Sequence, residues 1–109
     1  MGPVTQPDPA NILPLEGEID LNVAPRLESS LARITKRQPA HVVVDLSGVT
    51  FIDSSGLAVL IRAMQDVKNY GGRLRLSGVS NQLLSIFEMA RLDQVFLIDQ
   101  RDDELLAAE

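Results

Sequence analysis

Residues 42–64, VVVDLSGVTFIDSSGLAVLIRAM, constrain this chain more than any other stretch of it. Val42, Val43 and Val44 are a continuous β-branched run that reads as a buried strand, residues 41–46, turning polar at Asp45. A second apolar cluster, residues 49–52, leads directly into Asp53, Ser54, Ser55 and Gly56. Beyond these, Leu57, Leu60, Ile61, Met64 and Val67 recur at helical spacing, which predicts a helix from Gly56 to about residue 69. The tetrad therefore falls on a strand-to-helix corner. The first N–H groups of a helix have no acceptor within it, and the positive end of the helix dipole lies there. Added negative charge is tolerated at such a corner.

Around this block the pattern alternates. Residues 1–11, with Pro3, Pro7 and Pro9, read as a loose leader or a reduced edge strand, and residues 12–109 as one domain. Leu13, Leu15 and Ile19 predict a strand running through Leu21, with Pro14 marking an edge or a bulge. Pro25 suits the first turn of a helix whose buried stripe is Leu27, Leu31 and Ile34, and which stops before Pro39. Gly71 and Gly72 end the second helix. Leu74 and Leu76 flank Arg75 as a half-buried strand. Asn81 is expected to cap a third helix with Leu83, Leu84, Phe87 and Met89 facing inward. Residues 95–98 read as a last strand. Asp102, Asp103 and Glu104 open a C-terminal helix docked by Leu105 and Leu106. The implied class is α/β: a mixed, mostly parallel sheet of about four to five strands packed with four helices, on one face or both.

Composition removes several functions. A chain of 109 residues with 45% hydrophobic content supports one core. Its longest apolar runs fall far short of the roughly 20 residues that span a bilayer, so no membrane insertion is expected. The polar, proline-punctuated start is unlike a secretory signal. The absence of cysteine excludes disulfides, thiolate zinc sites and a cysteine nucleophile, and fits a cytoplasmic location. A net charge of −5, scattered bases and few aromatics argue against direct nucleic-acid binding.

Catalysis is poorly served. A nucleophilic serine needs a base within hydrogen-bond reach and a group to orient it. The sole histidine, His41, opens the central strand, at the end opposite the corner, and no G-x-S-x-G surrounds Ser54 or Ser55. One histidine and dispersed carboxylates offer no metal-ligand spacing. Gly71-Gly72 lacks the residues that would make it a nucleotide cradle. The expectation is a protein without enzymatic activity, metal or cofactor. Two readings of the corner stay open. Asp53, Ser54 or Ser55 can cap the helix, a contribution of roughly 0.5–2 kcal/mol. Alternatively a serine there is phosphorylated, and about −1.5 to −2 of charge changes which partner docks over it.

Taken together, Gly17-Glu18-Ile19-Asp20 with Ala24 and Leu27, the block VVVDLSGVTFIDSSGLAVL, Gly71-Gly72, and Leu83, Phe87 and Leu92 resemble the STAS domains over about residues 12–100. Within them the chain is most similar to bacterial anti-sigma factor antagonists. That resemblance implies partner switching. The unphosphorylated antagonist binds an anti-sigma factor that is also a serine kinase, freeing the sigma factor. The kinase phosphorylates the serine after the motif aspartate, here Ser54 (alternatively Ser55), and a serine phosphatase reverses it. Asp53 would fix the loop or position the acceptor. The partner surface implied comprises the corner Asp53, Ser54, Ser55 and Gly56, with Asp20, Asn22, Leu57, Arg62 and Gln65, and with Asp66 and Asn69 on the same helix face. Two departures stand out. The family usually begins with a hairpin where this chain is short and proline-rich. Residues 56–60, GLAVL, also resemble the small STAS subunits of bacterial lipid-transport machines, which are interaction subunits without phosphorylation.

Overall fold

The computed structural model describes residues 8–101. A single 3₁₀ turn, Pro9–Asn11, is followed by β1 (Ile12–Ile19), α1 (Ala24–Thr35), β2 (His41–Ile52), α2 (Ser54–Asn69), β3 (Arg73–Val79), α3 (Asn81–Met89) and β4 (Leu97–Gln100). The strands lie in the order β1-β2-β3-β4, and every neighbouring pair is parallel. Sequential parallel strands joined by right-handed crossovers place their connecting helices on one face, and burial agrees. Val42, Val44 and Leu46 of β2 and Leu74 and Leu76 of β3 are buried, in one cluster with Leu27, Leu31, Leu60, Val67, Leu83 and Phe87 of the helices. Arg73, Arg75 and Leu97 are exposed on the open face, where Arg75 pairs with Asp99 at 2.9 Å. The architecture is the α/β domain expected, with four strands and three α-helices among the described residues. The sheet there is wholly parallel, where a mixed one was anticipated. The C-terminal helix expected from Asp102 onward, and most of the leader, lie outside the described residues.

Long-range pairing explains where the elements differ from expectation. β2 is one strand of 12 residues rather than an apolar run and a separate cluster. Ser47 and Gly48 do not end it, because β1 follows them through register shifts at Pro14/Glu16 and Gly17/Glu18. Pro14 thus marks both an edge strand and an irregularity, since proline gives the ladder no N–H. β1 ends at Ile19, two residues early, because Asp20 turns the chain. Its Oδ1 accepts from Asn22 N (3.0 Å) and Val23 N (3.2 Å), and its carbonyl accepts from Ala24 N (2.9 Å). Leu21 is left 72% exposed.

The third helix is capped by Ser80 and not Asn81. Ser80 has extended backbone, and its Oγ accepts from Leu83 N at 3.2 Å. Leu83 and Phe87 are buried one turn apart, whereas Met89, two residues past Phe87, faces away and is 86% exposed. The last strand begins at Leu97, not residue 95, because Leu92 O accepts from both Val95 N and Phe96 N in a turn. Phe96 is apolar for a different reason: it meets Phe87 edge-to-face, with ring centroids 5.7 Å apart.

This aromatic pair closes the end of the core beneath α3. Phe87 is fully buried, so Phe87→Ala is expected to lower unfolding free energy by about 3–5 kcal/mol. Urea denaturation of both proteins reads that difference directly.

Candidate functional site

β1 and β2 end side by side, and the chain leaves β2 into α2 through the corner. Asp53 N donates to Ile19 O at 3.0 Å, tying the start of α2 to the end of β1. Asp53 itself has extended backbone and is the N-cap. Its Oδ1 accepts from Ser55 N (2.9 Å), Gly56 N (3.1 Å) and Ser55 Oγ (2.5 Å). The helix therefore begins at Ser54, two residues before the expected start, because the carboxylate and not a hydroxyl satisfies its open amides. Asp53 O then accepts from Leu57 N at 3.0 Å, the first bond of the helix proper.

Gly56 is required by close approach. A Cβ built on it would lie 2.8 Å from Ile19 Cγ2, 2.9 Å from Ile52 Cγ2 and 3.1 Å from Ile19 O. Only glycine lets α2 settle onto the ends of β1 and β2.

The two serines separate cleanly. The Ser55 hydroxyl is part-buried and donates to Asp53. Ser54 is exposed, and its Oγ has no hydrogen-bond partner among the described residues. The Asp53 carboxyl is held below the ordinary carboxylate range, first by the Ser55 hydroxyl and then by the Gly56 amide. Smaller contributions come from the Ser55 and Leu21 amides, and desolvation opposes them.

The other residues singled out from sequence spread over one end and one face of the molecule. Asp20, half-buried, shapes the β1–α1 turn beside the corner, with Asn22 exposed on it. Leu57 packs against the core one turn into α2. Arg62 and Gln65 are exposed on the outer face of α2, at a helical rise of about 12 and 16 Å from Ser54. They are not part of the corner. Arg62 and Asp66 instead line a shallow groove with Glu28, Leu31 and Val59 between α1 and α2, and Asn69 lies farther along it beside Tyr70. Leu21 is the residue sequence reasoning missed. Its amide helps to hold the Asp53 carboxyl low while its side chain is solvent-facing. The available signal was an apolar residue directly after a turn-forming aspartate. His41 sits at the opposite end of β2 from the corner. Among the described residues no group of three or more His, Asp or Glu is placed to hold a metal.

A sequence profile described as the STAS domain matches residues 3–105. The chain is similar to the anti-sigma-B factor antagonist of Bacillus subtilis (strain 168), with 32% identity over 89 residues, 82% of this chain and 81% of that protein. The crystal structure of an anti-sigma factor antagonist from Mycobacterium paratuberculosis superposes with a TM-score of 0.74 at 27% identity, covering 89% of this chain and 82% of that one. A sulfate transporter family protein from Wolinella succinogenes superposes with a TM-score of 0.72 at 24% identity, over 90% and 83% of the two chains. That last likeness concerns the fold alone.

Two measurements test this construction of the corner. Gly56→Ala, which forces Ile19 and Ile52 apart, is expected to cost about 1–3 kcal/mol, and its urea midpoint checks this. For Asp53 the folded pKa is depressed, so its contribution to stability is complete above the unfolded pKa and fades as pH falls through the folded one. The stability gap between the wild type and Asp53→Ala is therefore expected to be constant near neutrality and to shrink below about pH 4. Thermal melts across that range would show it. A gap that widened in acid would contradict the assignment.

Proposed function

The chain belongs to the STAS domain family, and on that premise we propose that it is an anti-sigma factor antagonist that works by partner switching. In the unphosphorylated form it binds an anti-sigma factor with serine kinase activity. Phosphorylated on Ser54 it lets that partner go, and a serine phosphatase resets it. The observation that carries the reading is the inequality of the two serines. Ser54 offers an exposed hydroxyl with no hydrogen-bond partner among the described residues, whereas the Ser55 hydroxyl is committed to Asp53.

The domain is then a substrate and a ligand, with no reaction of its own. In the kinase step Ser54 Oγ bonds to the γ-phosphorus of ATP, the bond from that phosphorus to the β,γ-bridging oxygen breaks, and ADP leaves. The hydroxyl proton passes to a base on the kinase, since the Asp53 carboxyl, held below the ordinary carboxylate range, is a weak base. The product adds about −1.5 to −2 of charge beside Asp53 and Asp20. A partner covering the corner must then desolvate a phosphate that stands beside two carboxylates, which is strongly unfavourable.

The partner surface in this reading runs from Asp20, Leu21 and Asn22 over the 53–56 corner to Leu57. Arg62 and Gln65 are reached only by a partner that also lies along α2. Residues 12–109 are the unit that performs this role, and it operates in the cytoplasm, where ATP and the kinase are. No helix among the described residues is long and apolar enough to cross a membrane.

Incubation with the anti-sigma factor kinase of the same organism and ATP, followed by peptide mapping, tests the assignment. Labelling is expected on Ser54, to vanish in Ser54→Ala and to persist in Ser55→Ala. Ser54→Asp is expected to weaken kinase binding at least tenfold, about 1.4 kcal/mol. Undiminished labelling of Ser54→Ala would refute the acceptor. A wild type that takes no phosphate and binds no anti-sigma factor would favour an unphosphorylated interaction subunit.

A further inference from the structure

A phosphate at the start of a helix ordinarily finds free backbone amides there and folds onto them. This corner denies it that option. Counting from the strand, Asp53 N is bonded to Ile19 O, Ser55 N and Gly56 N are bonded to Asp53 Oδ1, and Leu57 N is bonded to Asp53 O. The Ser55 hydroxyl is also taken by Asp53 Oδ1. Of the five amides from Asp53 to Leu57, only that of Ser54 has no bonded acceptor among the described residues.

We propose that Asp53 is a positioning residue that occupies the helix amides in advance, so that a phosphate on Ser54 is held off the helix and stands out towards solvent and partner. Ser55 is the latch of this device, since its hydroxyl orients the carboxylate. The inference rests on Ser54 being the acceptor, and it adds a role to the neighbouring residues. A phosphate folded onto Ser55 N and Gly56 N would be partly neutralised and withdrawn. A phosphate excluded from them keeps its full charge at the surface. Asp53, and Asp20 on the facing β1–α1 turn, add like charge that pushes it the same way. The carboxylate thus does two things in one place: it caps α2, and it keeps a modified Ser54 outward.

The test needs no kinase. The chain is produced with phosphoserine incorporated at position 54 during synthesis, and is followed by ¹⁵N–¹H and ³¹P NMR. In the wild-type background the Ser55 and Gly56 amide resonances are expected to stay close to those of the unmodified chain. The phosphate's second ionisation should stay at or above its ordinary value near 6. With Asp53→Ala the freed amides should move to the phosphate, shifting both resonances and making that ionisation at least threefold more acidic. Asp53→Asn retains a neutral oxygen acceptor and should keep the amides as in the wild type, which separates occupancy from mere repulsion. If Asp53→Ala does not fold, Ser55→Ala, which loosens the carboxylate without removing it, should move the same two resonances in the same direction. A wild-type phosphate already bonded to Ser55 N and Gly56 N would overturn the proposal. So would an Asp53→Ala phosphate that titrates like the wild type. Neither result bears on whether a kinase labels Ser54, so this inference and the functional reading fail separately.

Discussion

The contact between the end of β1 and the start of α2 organises the functional end of this molecule. Three things meet there: the Asp53 amide on Ile19 O, the Asp53 carboxylate on the first turn of α2, and the bare Cα of Gly56 against Ile19 and Ile52. Each depends on the others. The amide bond sets how closely the helix approaches β1, glycine makes that approach sterically possible, and the carboxylate satisfies the amides that the approach would otherwise leave open. Without this junction Ser54 would occupy a loop. With it, Ser54 is the first residue of a helix anchored to two adjacent strands.

The consequence is a division of labour among three adjacent polar residues that are chemically similar on paper. Asp53 caps, Ser55 orients the cap, and Ser54 is left unoccupied. The free hydroxyl stands beside a carboxylate whose hydrogen-bonding capacity towards the helix is already used by Ser55 and Gly56. Leu21 is exposed beside the corner because Asp20 turns the chain immediately after β1, and the two β–α connections present their side chains at the same end of the sheet. Ligand-facing groups at the C-terminal ends of parallel strands are the common outcome of this topology.

Much of the fold was legible because local chemistry and tertiary structure agreed. Gly71 and Gly72 end α2, with Gly72 N bonded back to Val67 O and Gly71 at positive φ, a conformation glycine adopts without strain. Leu74 and Leu76 are buried around an exposed Arg75, as alternation requires. Where reading failed, a non-local contact had overridden a local signal. Residues 41–46 and 49–52 read as separate apolar stretches, and irregular pairing with β1 keeps β2 extended through Ser47 and Gly48. Residues 95 and 96 looked like strand because they are apolar, yet Phe96 is apolar in order to meet Phe87. Met89 looked inward by composition and points outward by helical phase. Asn81 and Ser80 are both good caps in isolation, and it is Ser80 that has the extended backbone and accepts from Leu83 N.

The amino-acid order by itself determined the alternation of strand and helix, a mostly parallel sheet, and the location of the one polar corner worth attention. Those follow from periodicity, glycine and proline placement, and side-chain type, all of which act over a few residues. Which of Asp53, Ser54 and Ser55 caps, which orients and which stays free was decided only by tertiary structure. The answer depends on where Ile19, 34 residues earlier, presents its carbonyl and its side chain to the corner. Hydrogen-bond roles among near-equivalent neighbours are set by the directions of their partners, and those directions exist only once the two strands lie side by side.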